Sequence, residues 1–84
     1  MNLYSVRDNE SKTFIKPFGM ETNRDAIEGF RVVCNEKDSP YYKFPNDYQL
    51  VKVGEFDPHT GKINPVDGDY IPLTWASDLK VLES

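Results

Sequence analysis

One stretch of this chain carries helical periodicity, and it sets the fold class. Ala26, Ile27, Phe30, Val33 and Cys34 recur at i, i+1, i+4, i+7 and i+8, which gathers them on a single apolar stripe of an α-helix. Just before the stripe, Thr22-Asn23-Arg24-Asp25 has the form of a capping box. The Thr22 hydroxyl accepts a backbone N–H of the first turn, and the carboxylate three residues on reaches back. The helix is predicted over 23–35, and Pro40 marks its far limit because proline disfavours α geometry in the residue before it. Gly29 inside it costs about 1 kcal/mol relative to alanine. A helix with one apolar face has to cover something, and the runs on either side of it are too short to be helices.

Those runs read as strands. Leu3 to Arg7 and Thr13 to Phe18 are β-branched or aromatic and enclose the polar stretch Asp8-Asn9-Glu10-Ser11-Lys12, so they predict a β-hairpin with a loop of about five residues. Alternation along the second run places Phe14, Lys16 and Phe18 on one face and Thr13, Ile15 and Pro17 on the other. Pro17 cannot donate to a ladder and therefore belongs at a sheet edge. After the helix, residues 41–48 form an aromatic, proline-broken loop, and Tyr48 to Phe56 is the best strand in the sequence. Asp57-Pro58-His59-Thr60-Gly61 is a turn. A short return strand over 62–64, a second turn over 65–69, the segment Tyr70 to Trp75 and a tail over 77–82, extended or a single helical turn, complete the chain. The order is β-β-α-β-β followed by an irregular segment. The fold class is α+β: an antiparallel sheet of about four strands with one helix packed on a face. Eighty-four residues leave room for one core, so residues 1–84 form a single small domain and most large enzyme folds are excluded.

The chemistry of catalysis is missing. One histidine and one cysteine are present, with His59 in an exposed turn and Cys34 on the apolar stripe. Asp57 with His59 is two ligands without a third, and Asp67-Gly68-Asp69 lacks the remaining oxygens of a calcium loop. Gly54 and Gly61-Lys62 imitate a phosphate loop, but six residues separate the glycines and Ile63 stands where a magnesium-binding hydroxyl is needed. The reading is no enzyme, no metal site and no cofactor. A lone cysteine fits a reducing compartment. Apolar runs of two or three residues fall far short of the ~20 needed to cross a bilayer, so no membrane partner is expected. The first residues show no basic segment followed by an apolar one, and secretion is unsupported.

Charge is informative once mapped. Residues 1–54 hold eight basic and eight acidic side chains, and residues 55–84 hold two basic and six acidic, so the whole net charge of −4 lies in the last third. That excludes a uniformly basic coat for duplex DNA. A local binding face remains, because rings interleaved with lysines suit single strands: rings stack on bases and cations follow phosphates. Arg7, Lys12, Lys16, Lys43 and Lys52 are the candidate phosphate contacts, and Tyr41, Tyr42 and Phe44 the candidate stacking rings. The alternative for these aromatics is core filling, and a further one is self-association as a homodimer. A rival function is an interaction protein that never touches DNA and contacts another protein through its acidic segment, Asp67 to Glu83, with Tyr70 and Trp75 as anchors.

A family resemblance rests on particular runs. Leu3-Tyr4-Ser5-Val6-Arg7-Asp8, the helix around Asp25-Ala26-Ile27 with Phe30, and above all residues 44–57, Phe-Pro-Asn-Asp-Tyr-Gln-Leu-Val-Lys-Val-Gly-Glu-Phe-Asp, followed by Thr60-Gly61-Lys62-Ile63, resemble the small non-structural protein of gokushoviruses, icosahedral phages of the Microviridae with circular single-stranded DNA genomes. The resemblance covers about residues 3–79. It implies a non-enzymatic DNA-binding role in genome replication or in single-strand synthesis and packaging. It also implies action in the host bacterial cytoplasm, with DNA, single-stranded for preference, and viral replication or capsid proteins as partners.

Overall fold

Two long strands form the spine of the molecule. In the computed structural model, which describes residues 1–80, β1 (Asn2–Asp8) and β4 (Tyr48–Phe56) run antiparallel from Asn2 opposite Glu55 to Asp8 opposite Tyr48. β2 (Thr13–Phe14) and β3 (Phe18–Met20) both border β1, while β5 (Ile63–Pro65) and β6 (Ile71–Trp75) both border β4. The six strands therefore make an antiparallel sheet only four strands wide. With α1 (Asn23–Cys34), α2 (Pro40–Lys43) and α3 (Ala76–Leu79), the class is α+β, as the sequence predicts.

The predicted helix forms where its cap and stripe require. Asp25 N–H donates to Thr22 Oγ1 at 3.1 Å, and Ala26, Phe30 and Cys34 are its buried residues. Its end is fixed by Asn35, whose side-chain amide donates to Arg31 O at 2.8 Å and to Leu79 O at 3.1 Å. One side chain thus closes α1 and ties α3 to it. The core lies between α1 and one sheet face: Tyr4 and Val6 from β1 and Leu50 from β4 meet Ala26, Phe30 and Cys34, with Ala76 and Leu79 of α3 completing the cluster. Tyr4 is fully buried, so its hydroxyl needs partners. It donates to Asn23 Oδ1 at 2.7 Å and accepts from Asn2 Nδ2 at 3.0 Å, which fastens the first turn of α1 to β1.

Register irregularities decide which side chains face which way. Arg7 pairs with Phe14 and Tyr4 with Phe18. Two residues on β1 lie between these pairs, but three lie between Phe14 and Phe18. The extra residue is a bulge, and an odd insertion moves every later side chain to the other face. Phe14 consequently shares the side of Arg7, whereas Phe18 joins Tyr4 at the core, their rings 6.0 Å apart. The expectation that Phe14, Lys16 and Phe18 share one face is overturned, and the single strand predicted over 13–18 becomes two. Pro17, which has no N–H to offer, sits in the interruption. The backbone ahead of it stays partnered: Ile15 N–H donates to Val6 O at 3.1 Å, and Ser5 Oγ donates to Ile15 O at 2.9 Å. Further shifts fall between Leu3 and Tyr4 against β4 and between Leu50 and Val51 against β6, and bulges of this kind bend and twist a sheet.

Two other expectations change. The loop predicted over 41–48 begins with a helical turn, because Ser39 accepts from Tyr42 N–H at 3.1 Å and Pro40 opens α2. Proline at a first helical position sacrifices only a donor that has no helical partner anyway. The irregular C-terminal segment is a true sheet strand, β6, followed by the single turn α3. Val81 and Leu82 of the predicted tail lie outside the described residues. Each open edge of the sheet carries a proline: Pro17 between β2 and β3, Pro65 in β5 and Pro72 in β6.

Candidate nucleic-acid interface

The residues selected from sequence separate into three groups. Tyr41 belongs to the interior: its ring lies 5.3 Å from Phe30 and 4.9 Å from Tyr48, edge-on to both. Burial, then the neighbouring Tyr48 and Cys34, hold its phenol above its ordinary pKa, and an inward ring offers no face to a base. Tyr42 is half-buried beneath a lysine, with Lys80 Nζ 4.1 Å from the ring centroid and donating to Tyr42 O at 3.3 Å. Lys52 is neutralised by Glu55, Nζ to Oε1 3.0 Å, and its side chain keeps only 18% of its exposure. These three positions are committed to the fold.

The second group is open. Lys43 is exposed at the end of α2, and the adjacent Phe44 is 58% exposed. Lys12 and Lys16 are exposed on the β1–β2–β3 edge. None of these lysines has a carboxylate partner among the described residues. Lys12 adopts φ +60°, a left-handed conformation that turns the chain from the loop into β2.

Arg7 forms the third group with two rings. Its guanidinium carbon lies 5.9 Å from the centroid of Phe14 and 5.4 Å from that of Tyr70, and the rings contact each other edge-on at 5.6 Å. Arg7 also hydrogen-bonds Asn9 Oδ1. The sequence selects Arg7 as a contact and offers Phe14 only within the aromatic–lysine pattern Phe14-Lys16-Phe18, while Tyr70 is assigned instead to a protein-binding anchor. The signal that points to Phe14 is its pairing position opposite Arg7, set by the turn between β1 and β2; nothing in the sequence ties Tyr70 to β2. Tyr70 and Trp75 are both half-buried and do not project as free anchors.

Acidic groups border this edge. Asp8 accepts the N–H groups of Glu10 and Ser11 at 3.0 and 3.4 Å, and the Glu10 hydrogen bond is the main reason its carboxyl titrates below the usual value. Glu10, Asp67 and Asp69 are exposed.

Cys34 behaves as a core residue, its thiol pushed up to about 11 by burial, with Arg31 opposing in part. Among the described residues no group of histidine, cysteine and carboxylate side chains is placed to hold a metal ion, and no helix is long and apolar enough to cross a membrane. A groove of about 270 Å³ between α1 and β3, lined by Val6, Phe18, Met20, Phe30 and Val33 among others, is almost wholly apolar and lacks polar groups to orient a nucleotide.

The sequence profile of the Phage ORF5 protein family matches residues 1–75. The chain belongs to that family. This ORF5 family member is 27% identical over 82 residues to Protein ORF5 of Chlamydia phage 1, an alignment that covers 93% of this chain and 85% of the relative. No solved structure matches it significantly. These relationships bear out a phage protein of the gokushovirus type.

Proposed function

We propose that the chain is a non-enzymatic phage DNA-binding protein that favours single strands and acts in genome replication or in single-strand synthesis and packaging. One arrangement, present twice, supports this reading: an exposed ring beside lysines that have no carboxylate partner. Phe14 with Lys12 and Lys16 provides it at the sheet edge, and Phe44 with Lys43 at the end of α2. Protruding rings take unpaired bases, which a duplex does not offer, and the lysines neutralise the phosphates alongside. The acidic last third limits the number of phosphates that can be engaged, so the binding is weak and sensitive to salt.

Fluorescence-anisotropy titration of the whole chain with single-stranded and duplex oligonucleotides at low salt tests this. Single strands bind in the micromolar range and more tightly than duplex. Replacing both Lys12 and Lys16 by alanine reduces the slope of log affinity against log salt by about 1.4, from roughly 0.7 per phosphate contact on single strands. Absence of binding at high micromolar protein, or affinity indifferent to salt, removes the reading.

A further inference from the structure

Resting on the DNA-binding reading, the geometry points to Arg7, Phe14 and Tyr70 as one subsite, in which an unpaired nucleobase stacks on the open face of Phe14 beside the Arg7 guanidinium. The other selected rings serve less well. Tyr41 faces the core and Tyr42 lies under Lys80, while Phe44 is exposed with no ring contact to hold it among the described residues. Phe14 alone combines exposure, at 46%, with a fixed orientation. Tyr70 contacts it at 66° and the guanidinium lies within cation–π range of both rings. A ring already held in place loses little freedom when a base arrives.

Charge at this subsite favours a polyanion that runs along β2. Lys12 precedes Phe14 by two residues and Lys16 follows it by two, and both are exposed, so the chain supplies a cation just before β2 and another just after it. Asp8, next to Arg7 in sequence, is engaged by the turn's own N–H groups, whereas Glu10 in the same turn is exposed. Opposition comes from the loop that supplies Tyr70, because exposed Asp67 and Asp69 immediately precede it. The element that completes the stack therefore also places negative charge at its rim and weakens the hold on phosphate.

Two probes separate base from backbone: a thymidine decamer, and an abasic decamer with the same phosphodiester chain. Wild type binds the thymidine decamer about tenfold more tightly, as expected for one stacked base. Phe14→Ala removes most of that preference and leaves affinity for the abasic chain unchanged. Phe14→Leu, which keeps an apolar side chain over the sheet but no flat face, gives the same result with a wild-type melting midpoint. Asp67→Asn with Asp69→Asn tightens binding of both probes. If both Phe14 variants discriminate between the probes as wild type does, or if the asparagine pair tightens neither, the subsite is overturned while DNA binding stands. If wild type binds neither probe, the subsite and the DNA-binding reading fall together.

Discussion

On the side of the sheet that α1 covers, Tyr4, Val6 and Leu50 are sealed by Ala26, Phe30 and Cys34, while on the opposite side Ser5 and Val51 are equally inaccessible in the company of Arg7, Phe14 and Tyr70. The first side is a two-layer core in which the polar atoms of Tyr4 are fully partnered. On the second, the Phe14 ring is almost half exposed. The difference teaches how a small domain divides its aromatic residues. Rings behind a helix carry stability, and rings on the bare face retain surface that a ligand can cover.

Truncation should separate the sides sharply. Phe30→Ala, which empties the space between α1 and the sheet beside Tyr41, destabilises the chain by about 3–5 kcal/mol, read as a lower midpoint in urea. Phe14→Ala costs less than about 1 kcal/mol, because an exposed ring forfeits little burial. Equal losses from the two variants would erase the distinction between the faces.

A pH titration offers the finest comparison. The Cys34 thiol is raised from 9.0 to about 11 in the folded chain, so folding favours its protonated form. The sign follows by linkage: this contribution is fully present below the unfolded value and is lost as pH rises through the folded one. Stability accordingly falls between about pH 9 and 11, with the partly buried phenols of Tyr41 and Tyr48, also raised by burial, adding to the decline at the upper end. Cys34→Ala, although less stable overall, shows a shallower decline over that window. An unchanged slope in equilibrium unfolding would place the thiol in contact with water.

Where local chemistry decides structure, the sequence was a sufficient guide. Thr22 and the stripe from Ala26 to Cys34 specify α1, and the apolar and aromatic run Tyr48 to Phe56 specifies β4. Pro40 was legible only as the end of one helix, although Ser39 before it also marks the start of another. The interface was harder, because its composition depends on long-range register. Alternation predicts that Phe14 and Phe18 share a face, and one additional residue around Pro17 separates them. Lys52 looked available until Glu55, three residues on, was brought within 3.0 Å. The contact of Tyr70 with Phe14 spans fifty-six positions and leaves no periodic trace.

The prolines at the rim of the sheet have a consequence for crowded conditions. A backbone that approaches Pro17, Pro65 or Pro72 finds no N–H at that position, so strand-by-strand growth into ribbons or fibrils is interrupted on every side. At those three positions, contact with another molecule is left to side chains.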